Sequence, residues 1–120
     1  MTRVALYARY SSDNQHERSV ADQLRLCGLH AEKQGWTVIG SYDDRAKSGA
    51  SLIRPGIQAL MQDAMRGSFD VVLAEALDRI SRDQEDVAGV YKRLVFAGVR
   101  IVTASEGEIT PLHVGLKGTS

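Results

Sequence analysis

Arg9 and Ser11 stand two apart where an apolar run, Arg3 to Ala8, gives way to hydroxyls and amides; a strand persisting that far puts Tyr7, Arg9 and Ser11 on one side. Further along come Asp43, Asp44, Arg45, Lys47, Ser48 and Arg54, and later Asp78, Arg79 and Arg82. Arginine's planar fork suits phosphate oxygens, so a group of arginines around one serine fits a phosphate ester better than a carbonyl substrate. Arg9 would neutralise charge on a phosphate that Ser11 attacks. Asp78 and Arg82 share a face if the helix that follows begins that early, with Arg79 beside them.

These residues meet only if strand ends meet. Apolar periodicity gives a strand over Arg3 to Ala8, then a helix over Ser19 to Gln34 with Val20, Leu24, Cys27 and Ala31 on one stripe. Ser19 is placed to cap that helix, with Asp22 three residues on, and Gly35 to close it. A β-branched and aromatic strand, Trp36 to Tyr42, precedes a polar loop, Asp43 to Gly56, long enough to suggest function. Pro55 opens a helix running to Gly67. Phe69 to Leu77 reads as a third strand, Ser81 to Gly98 as a helix, Val99 to Ser105 as a fourth strand and Glu108 to Thr110 as a short fifth. Alternating strands and helices predict a three-layer α/β/α fold with a mostly parallel sheet of four to five strands. In such sheets ligands bind beyond the carboxyl ends of the strands. That rule selects Arg9, Ser11, Ser12 and Gln15, then the Asp43 to Arg54 set, then Asp78, Arg79 and Arg82.

Composition sets bounds. One domain fits 120 residues, and 43% hydrophobic with 25% charged residues argues against disorder. No apolar run approaches the roughly 20 residues that span a bilayer, and the N-terminus lacks a signal-peptide pattern, so no membrane partner and a cytoplasmic location are expected. The lone cysteine, Cys27, reads as core. His16, His30 and His113 show no ligand spacing, so no metal or other cofactor is expected. Fifteen basic residues balance fifteen acidic ones, so any anion binding must be local.

Plainer readings stand beside these. A serine after a strand is commonly a turn or cap residue. Arg79 and Arg82 could be a solvated helix start paired with Asp78 and Asp83. Tyr7 could be packing, Arg54 a loop residue and Trp36 a core or interface aromatic. Gln23 falls on the surface unless its helix faces the strand ends.

Together the segments "YARYSSDNQ", "SVADQ", "DDRAKSGASLIRPGIQAL" and "LDRISRD" resemble the catalytic domain of the serine site-specific recombinases, the resolvase, invertase and large serine integrase family. They span nearly the whole chain in that family's order. The resemblance implies that Ser11 is the nucleophile, with Arg9, Arg54, Arg79 and Arg82 a cationic shell around the scissile phosphate. It implies that Asp78 orients an arginine or assists proton transfer, and gives Tyr7, Gln15, Gln23, Asp44 and Ser48 supporting places. Tyr10 stands where the family often has a small aliphatic residue, and Lys47 replaces a usually apolar one.

The resemblance further implies transesterification without metal or nucleotide: Ser11 attacks a phosphodiester of double-stranded DNA at a recombination site, forms a 5′-phosphoserine link and releases a 3′-hydroxyl that later reseals the backbone. It implies a homodimer that assembles into a synaptic tetramer in the full-length protein. Net neutrality leaves residues 1–120 a weak DNA binder. A DNA-binding region is therefore expected beyond Ser120; the resemblance implies a dimerisation helix there too, without which this domain alone is expected to be inactive in recombination. Two alternatives are a phosphoacceptor receiver domain, for which the Asp43-Asp44 pair follows the wrong strand, and a catalytically silent recombinase-like assembly module.

Overall fold

A computed structural model describes residues 2–11, 18–46 and 54–115, with Ser11 and Ala46 described by their backbone alone. Along the chain run β1 (Arg3–Ser11), α1 (Val20–Gln34), β2 (Thr37–Ala46), α2 (Pro55–Met65), β3 (Val71–Ala74), α3 (Leu77–Ile80), α4 (Gln84–Phe96), β4 (Arg100–Thr103) and β5 (Gly107–Glu108). They form one five-stranded sheet of order β2-β1-β3-β4-β5. Every pairing is parallel except β4 with β5.

The strand period of two sorts the core into two layers. Val4 and Leu6 of β1 and Val71 and Leu73 of β3 face α1, where they pack with Cys27 and Ala31. Ala5, Tyr7, Val72 and Ala74 face the other way, against Ile57, Leu60 and Ala64 of α2, Ile80 of α3, and Val87, Val90 and Leu94 of α4. Fully burying each larger aliphatic or aromatic side chain of this kind is worth about 1.5–3 kcal/mol. The central strands carry apolar side chains on both faces because both faces are covered.

Local signals account for the element ends. Ser19 caps α1 by accepting from the Asp22 amide, and Gly35 closes it at φ 74°, a left-handed conformation that glycine adopts without a Cβ penalty. β2 runs on through Asp43, Asp44 and Arg45 to Ala46, beyond the expected end at Tyr42, because this stretch pairs residue for residue with Ala8 to Ser11. The third strand is shorter than Phe69 to Leu77. Phe69 is core but off the strand, Asp70 is turned to the Arg3 amide and guanidinium, and Leu77 already begins α3. The helix expected from Ser81 begins later, at Gln84, and a separate single turn, α3, precedes it: Ser81 is extended, and Asp83 caps α4 through the Glu85 amide. The fifth strand lies at Gly107–Glu108, not at Glu108 to Thr110.

With this order the chain goes from β1 outward to β2 and crosses back past β1 to β3. The carboxyl ends of β1 and β3 therefore flank the point where the connection reverses, the place at which open α/β sheets leave a crevice for ligands.

Candidate active site

Two bonded groups occupy that crevice. The first is built on Tyr7, which is wholly buried. Its hydroxyl donates to Asp44 Oδ2 at 2.7 Å and accepts from Arg54 Nη2 at 2.9 Å. Burial, chiefly, pushes the phenol well above its ordinary range; the bond to Asp44 adds to this while Arg54 opposes it, so Tyr7 remains a neutral donor. Asp44 also accepts the Gly56 amide on Oδ1 at 2.8 Å and the Ile57 amide on Oδ2 at 2.9 Å. These are first-turn amides of α2, which otherwise lack intrahelical partners, and the local cap residue, Arg54, supplies no side-chain cap. Asp44 is thus an N-cap delivered from a neighbouring strand. The approach is close enough that only glycine fits at 56: a Cβ there would lie 2.1 Å from the Asp43 carbonyl oxygen.

Arg54 is held from several sides. It sits 6.0 Å from the centroid of the Tyr7 ring, donates through Nη1 to Asp86 Oδ2 at 2.7 Å, and donates through Nη2 to the Ile80 carbonyl as well as to Tyr7. Its Nε is buried without a hydrogen-bond partner among the described residues.

The second group is built on Arg9. Its Nε donates to the Arg79 carbonyl and its Nη2 to the Asp78 carbonyl, both at 3.2 Å. A one-turn helix such as α3 leaves its last carbonyls without intrahelical donors. Here guanidinium groups from β1 and from the start of α2 satisfy those of Asp78, Arg79 and Ile80 in succession. Positive charge at this end of a helix is also favoured by its dipole.

Gln23 of α1 is wholly buried and faces the strand ends, so the surface alternative does not hold. It accepts the Arg9 amide at 3.2 Å and donates to the carbonyls of Arg9 at 2.9 Å and Arg18 at 2.8 Å. Arg79 is 14% exposed in its side chain, donates through Nε to Glu75 Oε1 at 3.1 Å and lies 3.5 Å from the Asp78 carboxylate. The Asp78 side chain is 58% exposed. Arg82 falls in the bend between α3 and α4, exposed, so it shares no helical turn with Asp78.

Tyr7, Arg9, Gln23, Asp44, Arg54, Asp78 and Arg79 thus come to one end of the sheet. The backbone of Ser11 ends β1 beside them, paired with Ala46. Gln15 and Ser48, with Ser12, His16 and Lys47, lie outside the described residues. Sequence reasoning gave no site role to Glu75, Gly56 or Asp86. An acid inside the apolar run "VVLAEAL" was the available signal for Glu75, since a buried carboxylate needs partners. Among the described residues no group of three or more His, Cys, Asp or Glu is placed to hold a metal ion, and no helix is long and apolar enough to cross a membrane.

The family model described as "Resolvase, N terminal domain" matches residues 4–114. The chain belongs to the resolvase family. Among solved structures, this resolvase-family chain is similar to the N-terminal catalytic domain of TP901-1 integrase, with a TM-score of 0.77 and 32% identity over 88% of this chain and 78% of that one. It is also similar to a resolvase family site-specific recombinase from Streptococcus pneumoniae, with a TM-score of 0.81 and 25% identity over 97% of this chain and 83% of that one. A curated relative, "Probable DNA-invertase y4cG" of Sinorhizobium fredii (strain NBRC 101917 / NGR234), is 32% identical over 93 residues, 78% of this chain. The chain spans 27% of that relative's length, and 16% of the length of a second curated relative from Bacillus subtilis (strain 168). The three-layer fold read from the sequence is the resolvase catalytic-domain fold.

Proposed function

We propose that this domain cuts and rejoins DNA by serine transesterification, with Ser11 as nucleophile and Arg9, Arg54, Arg79 and Arg82 as the cations that bind the scissile phosphate. The Ser11 Oγ–P bond forms as the P–O3′ bond breaks; the serine proton is lost and the 3′-oxygen leaves as a hydroxyl. Bond energy is kept in the 5′-phosphoserine link, so resealing by the 3′-hydroxyl consumes no nucleotide. Such a step concentrates negative charge at phosphorus, and preorganised donors answer it; removing one such donor typically costs about 10²–10³ in rate.

The observation that carries this reading is the gathering of Arg9, Arg54 and Arg79 at the carboxyl ends of β1 and β3, beside the backbone of Ser11. Family membership supports it over a receiver domain. Tyr7 serves as a positioning donor: its raised phenol keeps its proton at neutral pH and is already committed to Asp44. Asp78, largely exposed and beside Arg79, orients that arginine. Gln15 and Ser48 complete the support by their motif positions.

Residues 1–120 serve as the catalytic domain. With no net charge, the domain grips duplex DNA weakly, so affinity, dimerisation and assembly of a synaptic tetramer are assigned to further regions of a longer protein. The test is covalent trapping by that full-length protein on a nicked recombination site. Ser11→Ala should abolish the protein–DNA adduct while binding persists; an adduct that survives the substitution overturns the assignment.

A further inference from the structure

Glu75 follows β3 directly and is nearly buried, yet it carries a charge into a site that has to bind an anion. Its two carboxylate oxygens are divided between two cations. Oε1 accepts from Arg79 Nε at 3.1 Å, and Oε2 meets Arg18 Nε at 2.5 Å. Its backbone carbonyl accepts the Ser105 amide at 3.0 Å, which fixes the root of the side chain to the turn after β4. Arg18 is in turn tied in, because its own carbonyl accepts from Gln23, which also holds both backbone polar groups of Arg9. One acid therefore joins α1's approach, β3 and α3 around the cluster.

A carboxylate that paired with one arginine would cancel its charge and blunt the attraction for phosphate. Here Glu75 is shared with Arg18, and Arg79 also lies 3.5 Å from the Asp78 carboxylate, so two acids face two arginines and the contribution of Glu75 is to fix where Arg79 sits, not to leave surplus charge. Because the pair is nearly buried, its geometry is held more firmly than that of an exposed ion pair.

We infer that Glu75 is a positioning residue for the strand-transfer reaction, acting through Arg79. This rests on the reading above, in which Arg79 contacts the scissile phosphate. Glu75 itself touches no reacting atom. Removing its charge should let Arg79 adopt other rotamers, which weakens its contribution to the transition state more than it weakens DNA binding.

The experiment is single-turnover adduct formation by the full-length protein at saturating nicked DNA, with DNA affinity and thermal stability measured in parallel. Glu75→Gln should slow adduct formation by about ten- to a hundred-fold, less than the roughly 10²–10³ for losing a donor outright because Arg79 itself remains, and change affinity by less than about three-fold. The same substitution in an Arg79→Ala background should add almost nothing, since residues that act through one another are non-additive. A merely structural role would instead give equal losses in both backgrounds, and that result overturns the inference, as does a Glu75→Gln rate within about two-fold of the unsubstituted protein. Should Glu75→Gln melt more than a few degrees early, Glu75→Asp, which keeps the charge but draws it back one methylene, carries the same expectations and the same refutations. If adduct forms but does not depend on Ser11, the underlying reading fails and the inference goes with it. If it does depend on Ser11 and the Glu75 variants match the unsubstituted protein, the inference alone fails.

Discussion

The Tyr7 hydroxyl donates to Asp44 across 2.7 Å, joining β1 to the edge strand β2 at the end where β1 and β3 flank the crevice. The same oxygen accepts from Arg54, so one phenol sets the spacing between a buried acid and a mostly buried cation. Tyr7→Phe removes both bonds while keeping the ring. Asp44 retains two amide donors and Arg54 retains Asp86 and the Ile80 carbonyl, so the expected loss is about 1–2 kcal/mol. Denaturant unfolding checks it, and an unchanged midpoint contradicts the arrangement.

Asp44→Ala should be costlier. It strips the cap from α2 and leaves the Tyr7 hydroxyl without its acceptor; a lost cap costs about 1 kcal/mol and a buried orphaned donor about 1–3 kcal/mol. A combined loss of about 2–4 kcal/mol in unfolding free energy is expected, and less than about 1 kcal/mol would show that the long-range cap contributes little.

Two glycine-to-alanine substitutions should have opposite signs. At Gly56 the added methyl would sit 2.1 Å from the Asp43 carbonyl oxygen, so β2 and α2 must separate, and a destabilisation of about 1–3 kcal/mol is expected. Gly89 lies exposed within α4, where an added methyl would meet nothing within 4 Å, and Gly89→Ala should stabilise by about 0.5–1 kcal/mol. Melting temperatures of the two variants decide the point; a shift in the same direction for both would contradict it.

Cys27 is wholly buried, and burial, with Glu75 nearby, pushes its thiol from 9.0 up to about 12. The native state should resist thiol-specific reagents at pH 8 until it unfolds, because the thiolate is the reactive form. The folded pKa is raised, so between pH 9 and about 12 the native state holds a proton that the unfolded chain has lost. Stability from this group is therefore complete below pH 9 and declines as pH rises, by up to about 1.4 kcal/mol per pH unit. Cys27→Ala should flatten the fall of unfolding free energy between pH 8 and 10; an identical slope would refute the assignment.

The order of strands and helices was legible because apolar spacing reports burial, and here the central strands are buried on both faces. The end of β2 was not. Asp43, Asp44 and Arg45 look like a turn, and only their pairing with Ala8, Arg9 and Tyr10 makes them strand. The break between α3 and α4 was hidden because Ser81 and Asp83 are both plausible caps, and the choice between them depends on Asp83 reaching the Glu85 amide. Of the site, the residue types pointed to phosphate chemistry. Their partners could not be read: that Asp44 caps a helix begun by Pro55, or that Arg9 and Arg54 hold the carbonyls of α3, depends on distances between segments far apart in the chain.

Gln23 bonds both backbone polar groups of Arg9 and, through the same amide nitrogen, the carbonyl of Arg18. A single side chain thereby hems the end of β1 to the lead-in of α1, through main-chain groups rather than through apolar packing. Cutting that stitch with Gln23→Ala should therefore lower the melting temperature and turnover together, since it strands main-chain groups beside Arg9.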